Sequence, residues 1–202
     1  EYIEVLDRKS QRLKKLTEDL VEASKASTGN LTVDFQRTDV NVLLTQSAGE
    51  YQEKLAAKGM DLILTPAPEN PAISADGRLL WRVLDNLMSN ICKYAMPGTR
   101  VYLSTEAGED GVRMVVKNIS RYPLNISADE LMERFVRGDA SRNTEGSGLG
   151  LAIVREIAEL HQADASLGPH ALSPSGDRLP GAVARVVFPA LAAGSPESAI
   201  SF

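Results

Sequence analysis

The chain holds one cysteine, Cys92, among 202 residues, which excludes an internal disulfide framework and fits a reducing compartment. Cys92 lies in a helical apolar pattern and reads as a small buried side chain. No apolar run approaches the roughly 20 residues needed to span a bilayer, and no signal peptide is visible, so the expected location is cytoplasmic. The first residue is Glu1 rather than Met, so the chain is expected to be an excised piece, with a membrane anchor in its parent left open. Basic residues number 22 against 27 acidic, for a net charge of −5, and no dense Lys/Arg block occurs. A nucleic-acid-binding face therefore has no support. Histidine is scarce, with only His161 and His170. His161 ends an apolar-periodic segment and reads as a packing residue. His170 falls in a "GPH" stretch expected to be a turn. No internal repeat is evident.

What is present suits one globular domain plus an appendage, since 43% of the residues are hydrophobic. The appendage is residues 1–28, which lack Gly and Pro. Leu6, Leu13 and Leu20 recur at seven, and Leu16 and Ala23 fill the intervening apolar position, although Lys9 interrupts the seam. That pattern predicts one helix of a bundle that must bury its stripe, most simply against a second copy of the chain. The alternative is a helix lying on its own domain.

Residues 30–190 read as the globular unit. "LTVDFQ" alternates like a strand. "DVNVLLTQSAGEYQEKLAAKG" predicts a helix opened by Asp39 and closed by Gly59. "MDLILTPAP" predicts a strand, and "ADGRLLWRVLDNLMSNICKYAMPG" a long helix stopped by Pro97-Gly98. "TRVYLSTEAGEDGVRMVVKNIS" predicts a β-hairpin turning at Gly108 to Gly111. "SADELMERF" is a short helix with Ser127 as cap and Glu130 completing a capping box. A polar stretch, "VRGDASRNTEGS", leads to a glycine run and its helix, and "ADASLGPH" and "GAVARVVFPAL" supply two last strands. Residues 191–202 are expected to be a flexible tail. Helices mixed with hairpin strands, without continuous βαβ alternation, predict an α+β two-layer sandwich with helices on one face of a mixed sheet.

Chemistry concentrates in two stretches. In "GSGLGLAIVREIAEL", Gly146, Gly148 and Gly150 stand at alternate positions directly before a helix. Without side chains they let a ligand approach the backbone, and the helix start offers free N–H groups that suit a phosphate. A P-loop is excluded because no lysine follows the glycines. A dinucleotide-binding turn is excluded because Leu151 stands where its third glycine belongs. The second stretch is "DNLMSNICKYAMPG". Asn86 and Asn90 are one turn apart, with Lys93 and Tyr94 following on the same side. Two asparagines inside a helix are unfavourable, because each amide competes for backbone bonds. Amide oxygens suit a hydrated Mg²⁺ that bridges phosphates, an ammonium offsets phosphate charge, and an aromatic ring packs on a base. An ordinary exposed polar face is the alternative.

N-x-x-x-N-x-x-K-Y, then "LMERFVRGD", then G-x-G-L-G-L opening a helix, resemble the catalytic and ATP-binding domain of sensor histidine kinases. That domain belongs to the ATPase superfamily shared with type II topoisomerases, MutL proteins and heat-shock chaperones. The resemblance covers roughly residues 30–190 and implies the Bergerat-type ATP-binding fold. It implies that Asn90 and Asn86 hold Mg²⁺, that Lys93 meets a phosphate, and that Tyr94 sits by the adenine or ribose. The backbone of Gly146, Ser147, Gly148, Leu149 and Gly150 would cradle the phosphates, with Asn86, Asn90 and Lys93 as the catalytic set. Phe135 would be the central residue of the box before a lid at about 137–147. Arg137 and Arg142 in that lid would assist phosphate charge or remain solvated.

One box departs from the family. "VVKNISRYP" has Asn118 where an Asp accepts from the adenine amino group, and Ser120 replaces the first glycine. An Asn oxygen still accepts that bond, but it is neutral, so binding is expected to be weaker. Position 86 separates the branches of the superfamily. Where hydrolysing relatives carry a Glu, Asn86 has no useful basicity, and Asp85 points about 100° away around the helix. The resemblance therefore implies γ-phosphoryl transfer from MgATP to a histidine, and thence to an aspartate of a response regulator. The acceptor histidine would lie upstream of Glu1, on the first helix of a homodimeric hairpin whose second helix is residues 1–28. The competing classes are an ATP-hydrolysing clamp and a non-catalytic dimerising scaffold.

Overall fold

The structure is a computed structural model, and it describes residues 2–27, 31–69, 71–108, 111–121, 128–133, 148–171 and 180–189. The helices are α1 (Tyr2–Ser27), α2 (Val40–Ala56), α3 (Gly77–Tyr94), α4 (Ala128–Leu131) and α5 (Gly150–Leu160). The strands are β1 (Gln36–Asp39), β2 (Asp61–Thr65), β3 (Ala72–Ala75), β4 (Arg100–Gly108), β5 (Gly111–Ile119), β6 (Asp164–Ala171) and β7 (Pro180–Phe188). Five strands form one mixed sheet in the order β2-β4-β5-β7-β6, in which only β2 and β4 run parallel. β1 and β3 form a separate antiparallel pair.

Alternation along the strands turns one face of the sheet to the helices. Val101 and Leu103 of β4, Met114 and Val116 of β5, and Val186 and Phe188 of β7 join a single core. Leu44, Ala48, Tyr51 and Leu55 of α2 reach it, as do Leu80, Leu84 and Met88 of α3 and Ile153 and Ile157 of α5. The α+β sandwich with helices on one face of a mixed sheet is thus the architecture observed. Asp39 caps α2 by accepting the Val42 N–H at 3.1 Å, and Gly59 leaves that helix at φ +69°.

Three local expectations are corrected. The alternation in "LTVDFQ" does not mark a strand over 31–36, because Leu31 and Val33 pack on the core without pairing. Strand pairing starts at Gln36, opposite Ala75 of β3, a strand not anticipated from its sequence. The short helix is α4, ending at Leu131, and its expected cap Ser127 lies outside the described residues, as does Phe135. His170 is not in a turn, since β6 runs through "GPH" and pairs His170 with Gly181. Pro169 is tolerated there because β6 is the edge strand of the sheet.

α1 packs against α5. Its leucine repeat nevertheless faces outward, with Leu6, Leu13 and Leu20 51%, 65% and 51% exposed. The tail at 191–202 and the lid residues 137–147 lie outside the described residues.

Candidate functional site

α3 begins at a capped end. Asp76 is 3% exposed, and its Oδ1 accepts the Arg78 and Leu79 N–H groups at 2.9 and 3.3 Å. From there the apolar stripe Leu80, Val83, Leu84, Leu87, Met88 and Ile91 holds the helix against the core. The polar stripe climbs out of the protein along the same helix. Asn86 is buried, Asn90 half-buried, Lys93 exposed and Tyr94 half-buried.

The Asn86 amide is oriented by its own helix. Its Nδ2 donates to the Arg82 carbonyl at 2.9 Å, and its Oδ1 faces the start of α5. A Cβ on Gly150 would stand 3.0 Å from that oxygen and 3.8 Å from the Asn90 Nδ2. Glycine lets the two helices meet this closely without displacing the amide. Gly148 turns the chain into α5 at φ +72°, a conformation that favours glycine. Leu149 follows, 2% exposed in the core and in the capping position, where it offers no side-chain oxygen to the first-turn amides. Those amides and the positive helix end suit an anion. The two stretches singled out in the sequence therefore converge at Asn86, Asn90 and Gly150. Gly146 and Ser147 lie outside the described residues, as do Arg137 and Arg142.

A third wall comes from the end of β5. Asn118, 9% exposed, follows Met114 and Val116 in alternation and so faces the helices. The last turn of α3 is stitched to this strand end. Met96 N–H donates to the Ile119 carbonyl and Arg121 N–H to the Tyr94 carbonyl, each at 2.8 Å, and Ala95 bridges Ser120. Lys93 and Tyr94 are thereby tied through the backbone to the segment holding Asn118. Ser120 is itself buried.

Asp85 is turned to the other side of α3, where the Tyr51 hydroxyl of α2 donates to its Oδ1 at 2.5 Å. Burial, then this hydrogen bond and the Asp85 charge, push the Tyr51 hydroxyl above its ordinary pKa. Tyr51 was not singled out from the sequence. Its signal was a tyrosine on the apolar stripe Leu44, Ala48, Tyr51, Leu55, whose buried hydroxyl needs a partner. Cys92, expected to be buried, is half-buried at the edge of the core, and burial raises its thiol pKa. His161 is a packing residue as expected, 3% exposed. Among the described residues no three His, Cys, Asp or Glu side chains are grouped to hold a metal. Among them, too, no helix is long and apolar enough to cross a membrane.

The family model described as "Histidine kinase-, DNA gyrase B-, and HSP90-like ATPase" matches residues 75–191. Among similar proteins, the sensor protein VanS of Enterococcus faecium is 28% identical over 162 residues, covering 79% of this chain and 42% of its own length. The signal transduction histidine-protein kinase BaeS of Escherichia coli is 30% identical over 151 residues, covering 74% of this chain and 32% of its own. The chain thus spans well under half of these relatives. In fold it is similar to full-length ShkA in complex with AMPPNP, with a TM-score of 0.78 and 24% identity over 95% of this chain and 39% of that one. The mycobacterial sensor histidine kinase MprB aligns with a TM-score of 0.65 and 22% identity over 78% of this chain and 98% of that one. Family match, relatives and fold agree, and the chain belongs to the histidine kinase-, DNA gyrase B- and HSP90-like ATPases as the catalytic and ATP-binding domain of a sensor histidine kinase.

Proposed function

We propose that the chain binds MgATP between α3 and the start of α5 and transfers the γ-phosphoryl group to a histidine outside these 202 residues. A ring nitrogen of that histidine attacks the γ-phosphorus, the bond to the bridging oxygen breaks, and ADP leaves with the electron pair. The phosphoryl group then passes to an aspartate of a response-regulator receiver domain. The observation that carries this reading is the approach of Gly150 to Asn86 and Asn90, which would leave a Cβ only 3.0 Å from the Asn86 Oδ1 and brings a helix N-terminus against two amides.

In this reading Asn90 and Asn86 hold Mg²⁺, and Lys93 meets a phosphate. Tyr94 and Asn118 line the base side, and residues 146–150 cradle the phosphates. The donor set suits the ion, since Mg²⁺ takes one or two protein oxygens and fills its shell with phosphate and water. Bound there, it offsets phosphate charge. The side-chain amide at position 86 and the engagement of Asp85 by Tyr51 leave neither residue of this turn of α3 as a base for water, which favours transfer over hydrolysis. Residues 1–28 are assigned as the second helix of a homodimeric hairpin, on the strength of the exposed leucines of α1. Residues 30–190 are assigned as the catalytic domain and 191–202 as a tail. Its working location is the cytoplasm.

Titration with a fluorescent ATP analogue, with and without Mg²⁺, tests the reading. Mg²⁺-dependent binding that disappears in Asn90→Ala is expected. No binding by the unmodified chain at millimolar analogue would overturn it in favour of a scaffold.

A further inference from the structure

The two helices that form the site are held together at both ends. At one end Gly150 meets Asn86. At the other, His161 caps α5 and meets the start of α3. Its Nε2 accepts the Asp76 N–H at 3.0 Å, and its Nδ1 lies 2.7 Å from the Ile157 carbonyl. An accepting Nε2 puts the ring proton on Nδ1, so the imidazole donates to its own helix and accepts from the next. Because His161 is 3% exposed, water does not replace either partner. α5 covers 11 residues, about 16 Å. Asn86 lies about 15 Å along α3 from Asp76. The helices are therefore an antiparallel pair pinned at two matched points.

The segment that leads out of α1 covers the distal pin. The Asp34 N–H donates to Asp76 Oδ2 at 3.2 Å, and the Phe35 ring stands edge-on to His161 at 5.4 Å. Phe188 of β7 backs the imidazole at 6.3 Å. Phe35 is half-exposed, although it sits on a buried joint.

We propose that this joint positions the candidate site: His161 sets how closely Gly150 approaches Asn86, and Phe35 conveys displacement of the segment after α1 to that contact. His161 is a positioning residue here, acting through the orientation of α5. The inference rests on the nucleotide-binding reading above and adds a route by which α1 regulates it. A rigid pair transmits a shift at one end to the other, because packed helices rearrange as bodies and do not deform continuously.

The test uses the whole chain with His161→Phe, His161→Gln and Phe35→Ala. Phenylalanine keeps a ring but leaves the Asp76 N–H without its acceptor, whereas the glutamine Oε1 restores one. Two readouts are taken where circular dichroism shows each variant folded: NMR amide shifts of residues 148–152 without nucleotide, and affinity for the fluorescent ATP analogue. His161→Phe and Phe35→Ala are expected to move those resonances and weaken binding by about fivefold, the lower end of ordinary coupling between sites. His161→Gln returns both readouts toward the unmodified chain. Leu55→Ala, a core truncation in α2, lowers Tm and leaves both unchanged, which sets the baseline for simple destabilisation. Unmoved resonances, or affinity held within about twofold despite a lower Tm, overturn the proposal. Should His161→Phe fail to fold, Phe35→Ala carries the same two readouts from a half-exposed position. If the unmodified chain binds no nucleotide, the functional reading fails and the resonances alone decide the joint.

Discussion

Gly150 is the residue whose substitution separates site from fold most cleanly. Alanine at a helix start improves intrinsic helix propensity by up to about 1 kcal/mol. Its Cβ would meet Asn86 Oδ1 at 3.0 Å, so the amide must give way by a few tenths of an ångström. Gly150→Ala is expected to keep Tm within a few degrees and weaken nucleotide binding about tenfold, roughly 1.4 kcal/mol, as read by the analogue titration. Asp76 is the opposite case, a residue outside the cleft on which the fold depends. Burial by itself would raise its carboxyl pKa, but the Arg78 guanidinium at 2.9 Å and the Asp34 and Leu79 amides outweigh that and lower it. The folded state therefore favours the ionised form. Its contribution is complete above the ordinary value of 3.8 and is lost as pH falls through the folded pKa. Urea unfolding of Asp76→Ala should show a loss of about 2 kcal/mol at neutral pH, from a lost cap and unpaired amides. Asp76→Asn should flatten the acid limb of the stability profile.

At the scale of elements, α1 and α5 show how differently similar apolar repeats are used. α5 buries Ile153, Val154 and Ile157, whereas α1 leaves Leu6, Leu13 and Leu20 more than half exposed. An exposed repeat at seven needs a partner helix. Leu13→Glu is expected to shift sedimentation toward the monomer. An unchanged oligomeric state would count against α1 as a dimerisation helix. The elements were unequally legible in the sequence. α2 and α3 were readable because caps, stops and the 3.6-residue stripe agree, and α5 because its stripe follows directly on a glycine run. β3 was not, because "AISA" is short and its pairing with β1 is decided by residues about 36 positions away. "GPH" reads as a turn locally, and only its place on the sheet edge makes it strand.

For the whole molecule, a ligand that binds only the folded state raises stability by mass action. At free MgATP 100-fold above Kd, the gain is about 2.7 kcal/mol, or roughly 5–10 °C in Tm for a chain this size. Thermal unfolding followed with and without Mg²⁺ checks this, and the shift should vanish in Asn90→Ala. Turnover of ATP to ADP by the chain alone is expected to stay slow, because Tyr51 engages Asp85 on the far side of α3.

By itself the sequence determined the family resemblance, the helix faces and the sandwich of helices on a mixed sheet. Those follow from local spacing, caps and periodicity, which neighbouring residues carry together. Only the tertiary structure decided that Gly150 lies against Asn86, that Tyr51 engages Asp85, and that His161 joins α5 to Asp76 beneath Phe35. Each of these contacts joins residues at least 34 positions apart. Sequence periodicity places a side chain on a face of its helix, but close packing of one helix on another chooses which faces meet.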